Sequence, residues 1–157
     1  MDEGSQSCIY SQNMALSRSF INIWVHLVWT VKKREPLLHK SFRTQLCKHI
    51  HQHARQQEIH LDTINGVEDH LHCLVSMKST QSISQIVKTI KGESSKWLND
   101  VKLVEGVFEW QEGYGAFSVS PTHLKKVRNY IKNQEQHHLK QNFEEEMLII
   151  EEMLESE

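Results

Sequence analysis

The chain has 157 residues, enough for one domain with a proper hydrophobic core. Hydrophobic residues make up 38% and charged residues 24%, which is typical of a globular protein in water. A run of 18 apolar residues and a signal-peptide core are both missing, which argues against a membrane or secreted protein. We therefore expect a cytoplasmic protein whose cysteines, Cys8, Cys47 and Cys73, are reduced.

The charge is distributed unevenly along the chain. The net charge is −2, but residues 143–157 contain seven Glu and no Lys or Arg. Residues 1–142 therefore hold 18 basic and 13 acidic residues, a net charge of +5. A modestly basic body with an acidic C-terminal tail is compatible with DNA or RNA as a partner but does not require either.

The N-terminal part predicts a leader followed by a strand. Residues 1–17 are polar and aperiodic, and we expect them to be a disordered leader before a single domain at residues 18–142. Apolar side chains then alternate from Ile21 to Val31, which predicts a long strand. This strand ends in the basic cluster Lys32-Lys33-Arg34.

A helix and a hairpin are predicted next. Residues 38–57 have helical spacing, and His49 and His53 lie at i and i+4, a spacing that can bind Zn²⁺. A solvated helix face is the more common meaning of such a pair, and no third ligand is visible nearby. Residues 58–65 predict a short strand, and Asn65-Gly66 predicts the turn that joins it to the next strand.

The stretch Asp69-His70-Leu71-His72-Cys73-Leu74-Val75 predicts a buried strand with two histidines on one face. His70 and His72 should lie roughly 6–7 Å apart, at about 3.3 Å per residue. The other face is filled by Leu71, Cys73 and Val75. Two imidazoles on one strand can hold one divalent ion, but they need further ligands to form a site.

The C-terminal half predicts two long helices with an edge strand between them. Ser82 is a suitable N-cap for a helix over residues 82–99, and residues 116–119 predict the edge strand. Ser120-Pro121 then begins a helix that reaches about Leu139. The last segment, Phe143–Leu154, is amphipathic and could pack on the domain or on a partner chain.

The helix after Pro121 carries the residues that could complete a site. Tyr130 and Gln134 lie at i and i+4, one above the other on the helix. The amide oxygen of Gln134 is a hard ligand that suits Mg²⁺ or Mn²⁺. If this helix packs over the two histidines, a bound metal would polarise a phosphate and the Tyr130 phenol could attack it.

Each of these features is a weak signal by itself. A histidine pair on a strand is often structural, a helical tyrosine is usually part of the core, and a single glutamine says almost nothing. Trp110 and Tyr114 could stack on bases, although such residues are more often core. The combination and its order along the chain are more specific than any one part.

Together, these motifs resemble the single-tyrosine HUH transposases of the insertion-sequence-200 type. Asp69-His70-Leu71-His72 and Tyr130-Ile-Lys-Asn-Gln134 carry the resemblance. Three further stretches agree with it: His26-Leu-Val-Trp29-Thr-Val-Lys32-Lys-Arg34, Lys91-Gly92-Glu-Ser-Ser95 and Trp110-Gln-Glu-Gly113-Tyr114-Gly115. The acidic residues 143–157 do not resemble the usual C-terminal tail of the family.

The resemblance implies a fold and an activity. The fold would be α+β, with a ferredoxin-like or RRM-like antiparallel sheet flanked by helices. The activity would be metal-dependent cleavage and joining of single-stranded DNA at hairpin-bearing element ends, through a 5′-phosphotyrosine. His70, His72 and Gln134 would be the ligands of Mg²⁺ or Mn²⁺, and Tyr130 would be the nucleophile. The family also implies a homodimer in which the tyrosine helix of one subunit completes the site of the other.

We expect the DNA to contact local basic residues and not a uniformly basic surface. The candidates are Lys32, Arg34, Lys88 and Lys91. Three alternatives to a transposase remain open: a domesticated nickase of repeated hairpin elements, a non-catalytic RRM-like nucleic-acid-binding protein, and a metal-binding ligand sensor.

Overall fold

The computed structural model describes residues 19–138 and 142–156, so the leader expected at residues 1–17 lies outside the described residues. Four strands form one antiparallel sheet in the order β2-β3-β1-β4. The strands are β1 (Ile23–Thr30), β2 (His60–Gly66), β3 (His70–Met77) and β4 (Gly115–Val119). The helices are α1 (Lys40–Gln56), α2 (Ile83–Val101), α3 (Leu124–Lys132), α4 (Gln134–His138) and α5 (Phe143–Glu155).

Strand β3 is central and is buried on both faces. It pairs with β1 on one side and with β2 on the other, so that His72 lies opposite Val28 of β1 and Asn65 of β2. Side chains alternate along a strand, so His70 and His72 point to the same face of the sheet. The register therefore decides which residues of β1 can reach the histidine pair.

Helices α1 and α2 cover the face of the sheet opposite the histidines. The core there contains Leu71, Cys73 and Val75, as the alternation predicts, packed against apolar residues of both helices. The helix residues in this core include Phe42, Leu46, Ile50, Ile86, Val87 and Ile90. Each fully buried side chain of this size contributes about 1.5–3 kcal/mol. The Ser82 hydroxyl caps α2 by accepting a hydrogen bond from the Gln85 N–H at 3.2 Å.

Helices α3 and α5 cover the histidine face. A second apolar cluster joins Val28 and Leu74 of the sheet to Val127 and Ile131 of α3 and to Ile150 of α5. The long helix expected after Pro121 begins with a short 3-10 turn and breaks at Asn133, where φ is −99° and ψ is 23°. Asparagine is a poor helix former, and here it ends α3 and places Gln134 at the start of α4.

The predicted fold class is confirmed: the structure is an α+β fold with an antiparallel sheet flanked by helices. Among the described residues, no helix is long and apolar enough to cross a membrane.

Candidate metal and tyrosine site

The two histidines of β3 form the floor of the candidate site. His70 and His72 are fully buried, and their ring centroids lie 5.0 Å apart. The His70 Nδ1–H donates to Asp69 Oδ1 at 2.7 Å. The Nδ1 atom of His72 lies 3.0 Å from Nε2 of the buried His26 on β1. Both Nδ1 atoms thus have partners that orient the rings, and both Nε2 atoms point toward α5.

A carboxylate from α5 lies against both Nε2 atoms. Glu146 Oε2 is 2.9 Å from His70 Nε2, and Glu146 Oε1 is 3.2 Å from His72 Nε2. One ligand atom from each of these three buried residues lies within 4.8 Å of the others. Imidazole and carboxylate are ligands that suit divalent cations, so the donor set fits a metal ion.

The phenol of Tyr130 reaches the same carboxylate. Its hydroxyl donates to Glu146 Oε1 at 2.8 Å, and its ring centroid lies 5.9 Å from that of His72. The Tyr130 ring also stacks on the ring of His137, with centroids 4.8 Å apart. A single chain therefore brings the tyrosine and the histidine pair together around one carboxylate.

Gln134 lies beside this cluster, on the turn where α4 begins. Its side chain is buried, and its Nε2 lies 3.5 Å from the carbonyl oxygen of Tyr130. Its Oε1 has no hydrogen-bond partner among the described residues. A buried amide oxygen without a partner costs free energy, which fits an oxygen that is kept available for a ligand. The role of Gln134 as a metal ligand stays a prediction.

Burial and the hydrogen bonds together shift the pKa values of these groups. Burial lowers the pKa of His72 to about 4, which keeps it neutral. Burial also acts to lower the pKa of His70, but hydrogen bonds to Asp69 and Glu146 outweigh it and raise that pKa. Burial and the adjacent Glu146 charge raise the pKa of Tyr130 well above its ordinary value.

The Glu146 carboxyl is ionised despite its burial. Burial acts to raise its pKa, but the hydrogen bonds and charges of His70 and His72 outweigh this effect and hold the pKa well below its ordinary value. Both ring nitrogens of His70 lie beside carboxylate oxygens, which favours the protonated ring, and a proton on Nε2 must leave before a metal ion can bind there.

The predicted DNA-binding residues have different surroundings. Lys32 forms an exposed ion pair with Glu109 at 2.6 Å, and Lys88 is exposed. The Lys91 ammonium donates to the carbonyl oxygens of Gln111 and Gly113, at 2.6 and 2.9 Å, so it holds a loop in place. Of these four residues, Arg34 lies nearest the candidate site: its Nε is 3.5 Å from Asp69 Oδ2 and its Nη1 is 2.6 Å from Glu144 Oε1.

The structure also shows the surroundings of the candidate base-stacking residues and of the candidate zinc ligand His49. Trp110 packs against Trp29 and Phe108 and donates to the Ser94 hydroxyl at 3.0 Å, whereas Tyr114 is 43% exposed. His49 bonds to Glu93 and is not part of a three-residue metal group among the residues described.

Three residues of the site were absent from the list predicted from the sequence. His26 and Asp69 orient the two imidazoles, and Glu146 is the carboxylate at the centre. Asp69 is adjacent to His70, so its proximity could have been noted. His26 depends on the β1–β3 register, and Glu146 on how α5 docks; neither can be read from the sequence pattern.

Comparisons with known proteins agree with this architecture. Residues 19–134 match the family described as "Transposase IS200 like". The ISDra2 transposase TnpA of Deinococcus radiodurans is 28% identical over 114 residues, which is 69% of this chain and 81% of that protein.

Two solved structures share the fold. A crystal structure of a protein assigned as a transposase from Deinococcus radiodurans has a TM-score of 0.60 and 23% identity, covering 75% of this chain and 95% of that one. A REP-associated tyrosine transposase bound to a REP hairpin has a TM-score of 0.58 and 15% identity, covering 77% and 72%. The match over residues 19–134 spans most of the sequence, and the chain belongs to the IS200-like transposase family.

Proposed function

We propose that this protein cleaves and rejoins single-stranded DNA at hairpin-bearing ends, with Tyr130 as the nucleophile and a divalent cation at the histidine pair. The observation that carries the proposal is the meeting of the Tyr130 hydroxyl and both histidine Nε2 atoms at one buried carboxylate. A REP hairpin in the complex of a structural neighbour agrees with a hairpin substrate.

In the cleavage step the Tyr130 oxygen attacks the phosphorus of the scissile phosphodiester. The phenol loses its proton to solvent as a bond forms between its oxygen and phosphorus. The bond to the 3′ oxygen of the preceding nucleotide breaks, and that oxygen takes up a proton from solvent. The product is a 5′-phosphotyrosine and a free 3′-hydroxyl. Because the energy of the phosphodiester bond is kept, attack by another 3′-hydroxyl rejoins the strand and releases the tyrosine without ATP.

Some residues of the site would bind the metal, and others orient the residues that bind it. His70, His72 and the Gln134 amide oxygen would hold Mg²⁺ or Mn²⁺, and the Glu146 carboxylate is a further oxygen ligand while α5 is docked. When bound, the cation would neutralise charge on the phosphate and favour the ionised phenol. His26 and Asp69 fix the ring orientations through the Nδ1 atoms.

The experiment is a covalent trapping assay. The protein is incubated with Mn²⁺ and a labelled single-stranded oligonucleotide that carries a hairpin end, and a denaturation-resistant adduct is sought. We expect Tyr130→Phe to abolish the adduct, while Tyr114→Phe, which changes an exposed tyrosine, keeps it. An adduct that persists in Tyr130→Phe would show that another residue is the nucleophile.

The homodimer with shared sites stays a prediction from the resemblance, because one chain alone brings Tyr130 to its own His72. Mixed chains test it: Tyr130→Phe combined with His70→Ala regains activity only if tyrosine helices are exchanged between subunits. A domesticated repeat-element nickase is the second candidate, which the hairpin bound to a structural neighbour also supports. Terminal hairpins in the DNA that flanks the gene would favour the transposase.

A further inference from the structure

We propose that helix α5 is an intramolecular competitor of DNA, which occupies the positions of the substrate and must be displaced before single-stranded DNA can bind. The inference rests on the proposed function, because the competitor is defined by the substrate that it excludes. The occupant that replaces α5 is the single-stranded DNA itself.

Helix α5 closes the candidate site to solvent. With α5 in place, His70 and His72 are fully buried and the side chain of Glu146 is 1% exposed. The Tyr130 hydroxyl points into this enclosed cluster, where it donates to Glu146. A phosphodiester within a polymer cannot approach an enclosed phenol, so catalysis requires the covering element to move.

Helix α5 places an aromatic ring and two carboxylates at the site. The Phe143 ring centroid lies 5.1 Å from that of the His70 ring. The Arg34 guanidinium lies over the face of the Phe143 ring, 4.8 Å from its centroid. The Glu144 carboxylate binds Arg34 at 2.6 Å. An aromatic ring and two carboxylates, Glu144 and Glu146, thus stand where a base and its flanking phosphates would bind.

Helix α5 packs on the sheet through side chains and adds no strand to it, so the strand pairing does not depend on α5. Its buried apolar contact centres on Ile150, and its C-terminal end is held by Lys126, whose Nζ lies 3.4 Å from the Met153 carbonyl oxygen. A groove of about 390 Å³ runs between α5 and the sheet, lined by Thr30, Tyr114 and Phe117 among others. Removal of α5 would open this groove toward the histidine pair.

The test weakens the docking of α5 in the full-length protein without changing the site. Ile150→Ala removes the buried contact, and Leu148→Ala is the matched control because Leu148 lies on the same helix and is 59% exposed. Binding of a labelled hairpin-ended oligonucleotide is measured by fluorescence anisotropy in the presence of a chelator. We expect Ile150→Ala to bind more tightly, about tenfold for each 1.4 kcal/mol of docking free energy removed. We expect Leu148→Ala to bind as the wild type does.

A second variant keeps the proposal testable if Ile150→Ala does not fold. Glu144→Gln breaks the ion pair to Arg34, with Glu152→Gln as the control for the loss of one charge. Exposed ion pairs are weak, so the expected gain in DNA affinity is no more than about fivefold. The same affinity in Glu144→Gln and Glu152→Gln would count against the competition.

Hydrogen exchange on the wild type gives the direct measurement. We expect the amides of residues 143–155 to exchange faster when DNA is bound. Unchanged protection of α5 together with unchanged affinity in the variants would overturn the inference, while a Tyr130-dependent adduct would leave the proposed function intact. No DNA binding by any variant would overturn both.

Discussion

Removal of the Tyr130 hydroxyl should destabilise the protein by a predictable amount. This hydroxyl donates to the ionised Glu146 at 2.8 Å, and both groups are buried. A hydrogen bond to a charged group contributes about 1.5–3 kcal/mol. Glu146 keeps His70 and His72 as partners, at 2.9 and 3.2 Å, so the loss should lie near the lower end, about 1.5 kcal/mol.

Thermal unfolding of Tyr130→Phe in the presence of a chelator measures this loss. In a chain of this size, 1 kcal/mol shifts Tm by roughly 2–4 °C, so we expect Tm to fall by roughly 3–6 °C. Tyr114→Phe changes an exposed tyrosine and should stay within about 0.5 kcal/mol of the wild type. A Tyr130→Phe protein as stable as the wild type would refute the hydrogen bond between Tyr130 and Glu146 and the closed site built on it.

The remaining predictions concern the metal ligands, the pH dependence of metal binding and the ion pair between Asp62 and Arg128. His70→Ala and His72→Ala should each abolish Mn²⁺ binding measured by calorimetry. The control His51→Ala changes an exposed residue of α1 and should leave binding unchanged. His26→Ala should weaken Mn²⁺ binding by about 10–100-fold, because the ring of His72 loses the partner that orients it. Mn²⁺ affinity should fall as the pH drops below the raised pKa of His70, because Mn²⁺ must displace a proton there. Calorimetry detects this proton release as a binding heat that depends on the buffer. A binding heat that is independent of the buffer would contradict the prediction. Asp62→Asn should cost about 1 kcal/mol near neutral pH, because the bidentate contact with the partly exposed Arg128 lowers the Asp62 pKa. The stabilisation is complete above the unfolded pKa of about 3.9, and the cost should disappear as the pH falls from there through the lower folded-state pKa of Asp62. Asp100→Asn, in an exposed pair with Lys96, should show neither effect.

Local patterns predicted most of the fold. Alternation of apolar residues identified β1 and β3, and the stretch predicted as a buried strand, residues 69–75, overlaps the observed strand, His70–Met77. The Ser82 N-cap and the apolar spacing identified α2 because both are properties of a few neighbouring residues. The break at Asn133 was not predicted, since the apolar pattern continues across it and a helix end is a weaker signal than helical periodicity.

The site was predictable only in part, for a physical reason. His70 and His72 share a face by the geometry of any strand, so their convergence follows from the sequence alone. His26 reaches His72 because β1 pairs with β3 in one particular register, with His26 opposite Leu74. Glu146 is one of seven glutamates in an acidic segment, and nothing in its immediate sequence distinguishes it from Glu145 or Glu144. Its role is set by tertiary packing.

The net charge of −2 is the sum of two parts of opposite charge. The described body of the protein carries the basic residues, and α5 places Glu144 against one of them, Arg34. If α5 leaves, its negative charges leave the binding surface, and the basic residues that remain are those a phosphate backbone needs. Affinity for DNA should therefore depend on salt more steeply in Ile150→Ala than in the wild type, because each phosphate newly bound releases counterions. A wild-type protein with the same salt dependence as Ile150→Ala would mean that α5 does not cover the basic surface.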